Sequence, residues 1–440
     1  MKKHLLFIWL FLFALLINSC TKEDPEPDDI KIVGKQIYIP YELRNMDFNS
    51  TKSQWSYHRM DTSENIVVFW EEGFGEIPSK AEDEDMRFGV KSLLNNAEKF
   101  YTYYRDSLKF IENGSLLDTY RLMIMVLYTD DWLATGAGYD NKVGALWVSP
   151  STLQPAGDVI AHEIGHSFQY QVACDGHYGF RDQNYVGSFW EQCAQYMARQ
   201  IYPAGMLYDM KFFVDNSYMN FSNEEIRYQS FYLQEYWKIK HGKDFLGRLW
   251  REAITPEHPL QAYMRITNIT QEQLNDEVCE YAMRNIIWDY QQGSYIRNMA
   301  ANLNAVHKTE LTAVDENGTY EVSATKAPEC YGYNAFRLTL PSASTEVSAT
   351  FKGLDNSFSD LSGWRYGFVG VKTDGKSAIY GSIGKDQEGS ISFTVTDQIQ
   401  SLWFVVSGAP TSHWNHPWGI AANLIPKFPY QVKFTNTLPQ

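Results

Sequence analysis

The chain has 440 residues, with 38 Lys+Arg against 53 Asp+Glu for a formal charge of −15, and 44% of it is apolar. This composition excludes a disordered chain, and the length suffices for roughly three domains of ~150 residues with cores of their own. Acidic residues are spread along the sequence and no basic stripe could follow a phosphate backbone, so no nucleic-acid partner is expected.

Lys2 and Lys3 precede an apolar run from Leu5 to Ile17 that is too short to span a bilayer but has the form of a secretory signal over residues 1–19. The run ends Leu16-Ile17-Asn18-Ser19-Cys20, which resembles a bacterial lipobox and makes Cys20 the expected lipid-bearing N-terminus. Asn18 departs from the commonest form, and plain secretion is the alternative. Residues 20–35, rich in acids and proline, read as a flexible tether. Lys22-Glu23-Asp24 is similar to a signal that sends lipoproteins to the outer face of the outer membrane; a solvated linker is the other reading. No feature sets an oligomeric state. Cys174, Cys193, Cys279 and Cys330 show no CxxC spacing. Cys174 and Cys193 are either bridged in an oxidising compartment or buried as thiols.

Residues 36–75 read as extended, with 64–70 the clearest strand. An amphipathic helix is expected over 79–108, followed by buried strands at 122–128 and 143–148. The stretch 158–290 reads as mostly helical. From about residue 303 the pattern changes to short alternating strands, at 333–340, 346–351, 366–372, 390–395 and 402–406. Their turns are expected at Asn317-Gly318, Asp374-Gly375 and Glu388-Gly389.

The chemistry concentrates in Ala161-His162-Glu163-Ile164-Gly165-His166-Ser167-Phe168-Gln169, an HExxH sequence. Four residues apart on a helix, His162 and His166 share a face and can offer two imidazole nitrogens to one metal ion; a purely structural pair is the other reading. Glu163 is placed to take a proton from a water that zinc has acidified. A hydrolytic zinc needs a third protein ligand, and the metzincin spacing would require histidine where Val172 stands. Glu191, on a second expected helix 25 residues after His166, is the favoured third ligand. Ser188 and Glu191 can instead form a capping box, and Asp175, His177 and Asp182 are other candidates. Gln195, one turn beyond Glu191, suits an acceptor for the far nitrogen of a ligand histidine, and Gln169 can do similar work or simply cap a polar edge of the cleft. Tyr228, Tyr232 and His241 are candidate oxyanion donors, with core packing the competing reading of each. Trp403, Trp414 and Trp418, near His413 and His416, read as local packing, with a sugar platform or minor metal site as the alternative.

HEIGHSFQ followed by FWEQCAQYMA resembles the gluzincin-type zinc metallopeptidases, and within them the enhancin-like, mucin-directed peptidases. It is similar as well to uncharacterised bacterial surface lipoproteins with a peptidase-like core and a C-terminal β-domain. The likeness covers residues 60–290 in general plan and is specific only between Asp158 and Ala198. Many gluzincins carry aspartate where Gln195 stands. The resemblance implies His162, His166 and Glu191 as zinc ligands, Glu163 as general base, and hydrolysis of peptides or glycopeptides.

The expected fold is α+β. A mostly helical zincin-like metallopeptidase domain with a small N-terminal mixed sheet occupies 36–302, and an antiparallel β-sandwich occupies 303–440. The leading function is a surface-anchored zinc peptidase acting on extracellular proteins or glycoproteins, held to the outer membrane by lipid on Cys20, with strand 143–148 as an edge for substrate. The other class is a non-catalytic glycan- or protein-binding lipoprotein on the same scaffold. An intact Glu163 favours the enzyme, because a binding module has no use for a base.

Overall fold

The computed structural model describes residues 33–180, 183–290 and 293–440. The signal segment, Cys20, most of the tether and Asp182 lie outside the described residues. The body of the fold is anchored from Val33 on: Arg121 donates to the Val33 carbonyl at 2.7 Å, and the Gln36 amide donates to the Thr119 carbonyl at 2.8 Å. No helix among the described residues is long and apolar enough to cross a membrane.

The architecture is α+β. Its first sheet contains β1 (Met60–Thr62), β2 (Ile66–Trp70), β3 (Leu122–Val126), β4 (Ala134–Tyr139) and β5 (Val143–Val148). The strand order is β1-β2-β3-β5-β4, with β2, β3 and β5 parallel and the two outer strands antiparallel. Every residue of β2 and β3 is buried. Their unbroken Ile-Val-Val-Phe-Trp and Leu-Met-Ile-Met-Val runs are what a strand covered on both faces requires.

Helix α1 (Val90–Thr102) lies against β2, and α2 (Asp158–Cys174) lies against β4 and β5. The helix expected from residue 79 begins eleven positions later. Pro78 opens a short 3-10 turn, and the Asp83 carboxylate caps another by accepting from the Asp85 amide, so residues 78–86 form local turns before Gly89 admits the helix. After Thr102 the chain widens into a π-helical turn, Tyr103–Ser107.

Strand 143–148 is not an edge. It is β5, enclosed between β3 and β4, and the edge of the sheet is the Ala-Thr-Gly-Ala-Gly-Tyr strand β4. Those residues have weak strand propensity, which hides β4 in the sequence. Small residues in β4 and β5 seat α2 directly on the sheet: a Cβ at Gly136 of β4 would lie 2.1 Å from the Glu163 carbonyl oxygen, and one at Gly144 of β5 2.6 Å from that of Ser167.

The helices that follow are α3 (Gln183–Ile201), α4 (Met206–Asp215), α5 (Tyr232–His241), α6 (Phe245–Glu252), α7 (Pro259–Thr267), α8 (Gln271–Asn285) and α9 (Gly293–Leu303). Their aromatic residues interlock as core, as where Trp237 stacks on Tyr263 with centroids 4.6 Å apart. Cys174 and Cys193 are not bridged; the Cys193 sulfur is buried and accepts from the Trp250 indole at 3.3 Å.

The remaining strands are β6 (Leu311–Ala313), β7 (Thr319–Val322), β8 (Tyr333–Leu338), β9 (Glu346–Gly353), β10 (Trp364–Lys372), β11 (Ala378–Tyr380), β12 (Glu388–Thr394), β13 (Ile399–Gly408) and β14 (Tyr430–Thr435). They form two antiparallel sheets, β11-β10-β13-β8 and β12-β9-β14-β7-β6. The inner faces meet through aromatic contacts such as Phe351 on Tyr366 at 4.1 Å and Phe404 on Phe434 at 5.2 Å. Glu388 and Gly389, expected in a turn, are the first residues of β12.

Polar contacts sew these sheets to the helices. Arg365 in β10 is buried and bonds Asp276 at 2.6 Å and Glu272, both on α8. The loop between α4 and α5 is held in the same way. The Tyr333 amide donates to the Ser217 carbonyl at 2.7 Å, the Asn220 amide to Glu329 at 2.8 Å, and the Gly419 amide to Glu224 at 2.8 Å.

The seating of α2 gives the first prediction. Gly136→Val drives two methyl groups into the backbone of α2 and should destabilise the protein by about 1–3 kcal/mol or more, read as a lower denaturation midpoint. Unchanged stability would refute the close contact.

Candidate metal centre

His162, Glu163 and His166 lie on α2 and Glu191 on α3, where the two helices cross closely. A Cβ at Gly165, between the histidines, would lie 3.3 Å from the Ala194 Cα. Small residues at the crossing bring the carboxylate of one helix to the imidazoles of the other. Glu191 Oε2 is 3.1 Å from His162 Nε2 and 3.2 Å from His166 Nε2. Among the described residues these three form the one His/Cys/Asp/Glu group able to hold a metal ion, with one ligand atom each and all within 4.8 Å of one another.

The outer nitrogens explain why a cation fits. His162 Nδ1 lies 2.9 Å from Gln195 Oε1, and His166 Nδ1 lies 2.7 Å from Gln169 Oε1. An amide oxygen only accepts, so each Nδ1 carries the hydrogen, and each imidazole, when neutral, turns an Nε2 lone pair towards Glu191. In that state three electron-rich atoms converge, an arrangement that suits a cation. Tetrahedral zinc with ~2.0–2.1 Å bonds to nitrogen and oxygen places its ligand atoms about 3.3 Å apart, close to the two spacings from Glu191 to the histidines.

The surroundings hold this arrangement. Tyr104 donates to the Ala161 carbonyl at 2.8 Å, next to His162. Arg199, one turn beyond Gln195, bonds Asp209 at 2.9 Å and Asp158 at 3.3 Å, tying α3 to the first turn of α2. The Trp190 ring stacks on His166, with centroids 5.2 Å apart and planes 9° from parallel.

The group opens on a cleft of about 470 Å³, whose walls include Trp132, the β4 residues Ala134, Thr135 and Gly136, Glu163, Arg199 and Tyr228. Of the candidate oxyanion donors, Tyr228 lines this cleft with its ring centroid 6.1 Å from that of His162. Burial, followed by the negative charge of Glu191, raises its pKa and keeps the hydroxyl protonated as a donor. Tyr232 is buried in the core, and His241 pairs with the Tyr263 hydroxyl at 2.9 Å, away from the cleft.

The other proposed ligands are elsewhere. Asp175 accepts from the Leu116 amide and the Gln171 side chain, both at 2.9 Å, and His177 is exposed beyond the end of α2. Ser188 lies inside α3 and donates to the Ser222 carbonyl at 2.7 Å, so no capping box forms with Glu191. Trp403 is buried, Trp414 packs on His416, and His413 bonds the Tyr331 hydroxyl at 3.0 Å, while burial lowers the His413 pKa to about 4. Trp418 alone of these tryptophans is exposed, and Arg227 lies between it and Tyr228, 5.6 and 4.7 Å from the two rings. The sequence reading did not identify Trp132, Trp190 or Arg199. Arg199 was open to it, since positions 191, 195 and 199 share one face of a helix.

Without a metal, these residues form an ion pair. Burial opposes charge on Glu191, yet the hydrogen bonds and positive charges of the two histidines outweigh it and hold the carboxyl well below its usual 4.5. Burial likewise opposes charge on His166, but the bond to Glu191, its charge and that of Glu163 raise the imidazole above 6.5. A depressed carboxyl stabilises the fold above its unfolded value and loses that contribution as pH falls. A raised imidazole stabilises below its unfolded value and loses it as pH rises. Zinc-free protein should therefore gain most from the pair between pH 4.5 and 6.5. Glu191→Gln should flatten that maximum in a pH series of thermal melts, and an unaltered profile would contradict the pairing.

The chain is similar in part to several solved structures. The ZmpB metallopeptidase from Clostridium perfringens is 12% identical over 81% of this chain and 68% of that one, at a TM-score of 0.31. The M60 catalytic domain of Clostridium perfringens ZmpC, solved in complex with the sialyl T antigen, is 13% identical over 82% and 68%, at 0.29. The CBM22-1 xylan-binding domain of Paenibacillus barcinonensis Xyn10C is 10% identical over 30% and 80%, at 0.18. Likenesses at these scores carry no argument about the chemistry, which rests on the residues themselves. No curated protein sequence matches the chain. A sequence family does match, over residues 29–440, and the chain belongs to it: the family of unknown function DUF6055.

Proposed function

We propose that the protein is a zinc-dependent peptidase of gluzincin type, with His162, His166 and Glu191 as the zinc ligands and Glu163 as the general base. The observation that carries this reading is the donor set, two Nε2 lone pairs and a carboxylate oxygen within 4.8 Å of one another. A bound zinc ion supplies Lewis acidity, which polarises a substrate carbonyl and acidifies water. Glu163 follows His162 on α2 and lines the cleft, where its carboxylate can accept a proton from the attacking water and return it to the leaving amine. Tyr228, which lines the same cleft, offers a hydroxyl to the developing oxyanion. The free edge of β4, which reaches the cleft at Ala134 to Gly136, offers backbone groups to an extended peptide laid down as an additional strand.

The wider reading follows from the sequence. A lipid on Cys20 and the acidic tether would hold the enzyme at the outer face of the outer membrane, where extracellular proteins or glycoproteins are its substrates. The resemblance of HEIGHSFQ and FWEQCAQYMA to the mucin-directed peptidases supports the glycoprotein class.

Protein lacking residues 1–20 should contain close to one zinc per chain, and His162→Ala should lose it; a metal-free wild type would end this reading. Glu163→Ala should keep its zinc and abolish turnover of a mixed peptide and glycopeptide pool. Identical product profiles for wild type and Glu163→Ala would leave a non-catalytic binding lipoprotein as the better account.

A further inference from the structure

The two glutamines behind the imidazoles are not equivalent. Gln169 is fully buried, and both ends of its amide are committed. Its oxygen accepts from His166 Nδ1 at 2.7 Å, and its nitrogen donates to the Trp190 carbonyl at 2.8 Å. Exchanging oxygen and nitrogen would set two carbonyl oxygens against each other at the Trp190 end, so the orientation is fixed. Trp190 immediately precedes Glu191, and its ring lies flat on His166. One amide therefore joins a histidine on α2 to the backbone of α3 next to the carboxylate that the histidine faces. Gln195 is bound at one end only. Its oxygen meets His162 Nδ1 at 2.9 Å, while its nitrogen has no protein hydrogen bond among the described residues and the side chain lines the cleft.

We propose that Gln169 is a positioning residue that locks the His166 tautomer and its distance from Glu191, whereas Gln195 is an adjustable partner that tunes His162. The proposal rests on the metal centre proposed above. It carries a consequence opposite to the general expectation that a carboxylate behind a ligand histidine strengthens metal binding. At position 195 a carboxylate would still accept from Nδ1, displaces no other bond, and makes the imidazole a stronger donor. At position 169 the second carboxylate oxygen would face the Trp190 carbonyl in a dry interior, a contact between two acceptors that the lock cannot tolerate.

The test is zinc affinity, measured by competition with a chromophoric chelator, for wild type, Gln195→Glu, Gln169→Glu and Gln169→Met. Circular dichroism and thermal melts of the zinc-free proteins serve as the folding control. Gln195→Glu should bind zinc several-fold more tightly than wild type, and both Gln169 variants about 10- to 100-fold more weakly. If the two Glu variants shift in the same direction, or the Gln169 variants match wild type, the lock is overturned while the metal centre stands. If wild type takes up no zinc, the metal centre fails and this inference with it. Should Gln169→Glu not fold, Gln169→Met and Gln195→Glu still decide the matter.

Discussion

Three electron-rich atoms, the Nε2 nitrogens of His162 and His166 and one oxygen of Glu191, are held within 4.8 Å of one another on two different helices. Left to themselves such groups repel or recruit a proton, so the scaffold has to impose their meeting. The close crossing of α2 and α3 at Gly165 and Ala194 does this at the backbone. Gln169, Gln195, Tyr104 and the Arg199 bond to Asp158 then fix the ring orientations and the register of the helices. The glycines of β4 and β5 belong to the same solution, because α2 could not lie so near the sheet over larger side chains.

How much of this was legible in the sequence depended on how local each cause is. HExxH is a statement about one helix, and helical periodicity alone places His162 and His166 on one face. Glu191 and Gln195 were also within reach, since their helix is continuous and their spacing is one turn. Strand β4 was not, because its composition answers to the helix packed on it rather than to its own backbone. The same cause misplaced the edge of the sheet: the apolar Val143–Val148 run reads as a strand, but nothing within it tells which neighbour covers it. The start of α1 was hidden because Phe88 and the apolar positions before Val90 keep a helical rhythm while Pro78 and Asp83 impose turns. Tyr228 could not be told from Tyr232 and His241, since only the path of the loop after α4 decides which of them reaches the cleft.

Aromatic residues make up 15% of the chain and divide by burial. Most of the rings serve the interior, including those that interlock between the two C-terminal sheets and those around Trp250 behind α3. Among the tryptophans, Trp132 and Trp418 remain on the surface, 65% and 54% exposed. One lines the cleft, and the other adjoins it through Arg227 and Tyr228.

The loop between α4 and α5 faces two ways. On one side it receives Ser188 and Gln192 from α3 and carries Tyr228 to the cleft; on the other it is bonded to Tyr333 of β8 and to Glu329 and Gly419 in the connections between the C-terminal strands. The wall of the site is thus shared between the helices and the sheets. A chain cut after the helices would leave that loop without its main-chain partners, and heat should melt both halves in one cooperative transition rather than in two steps.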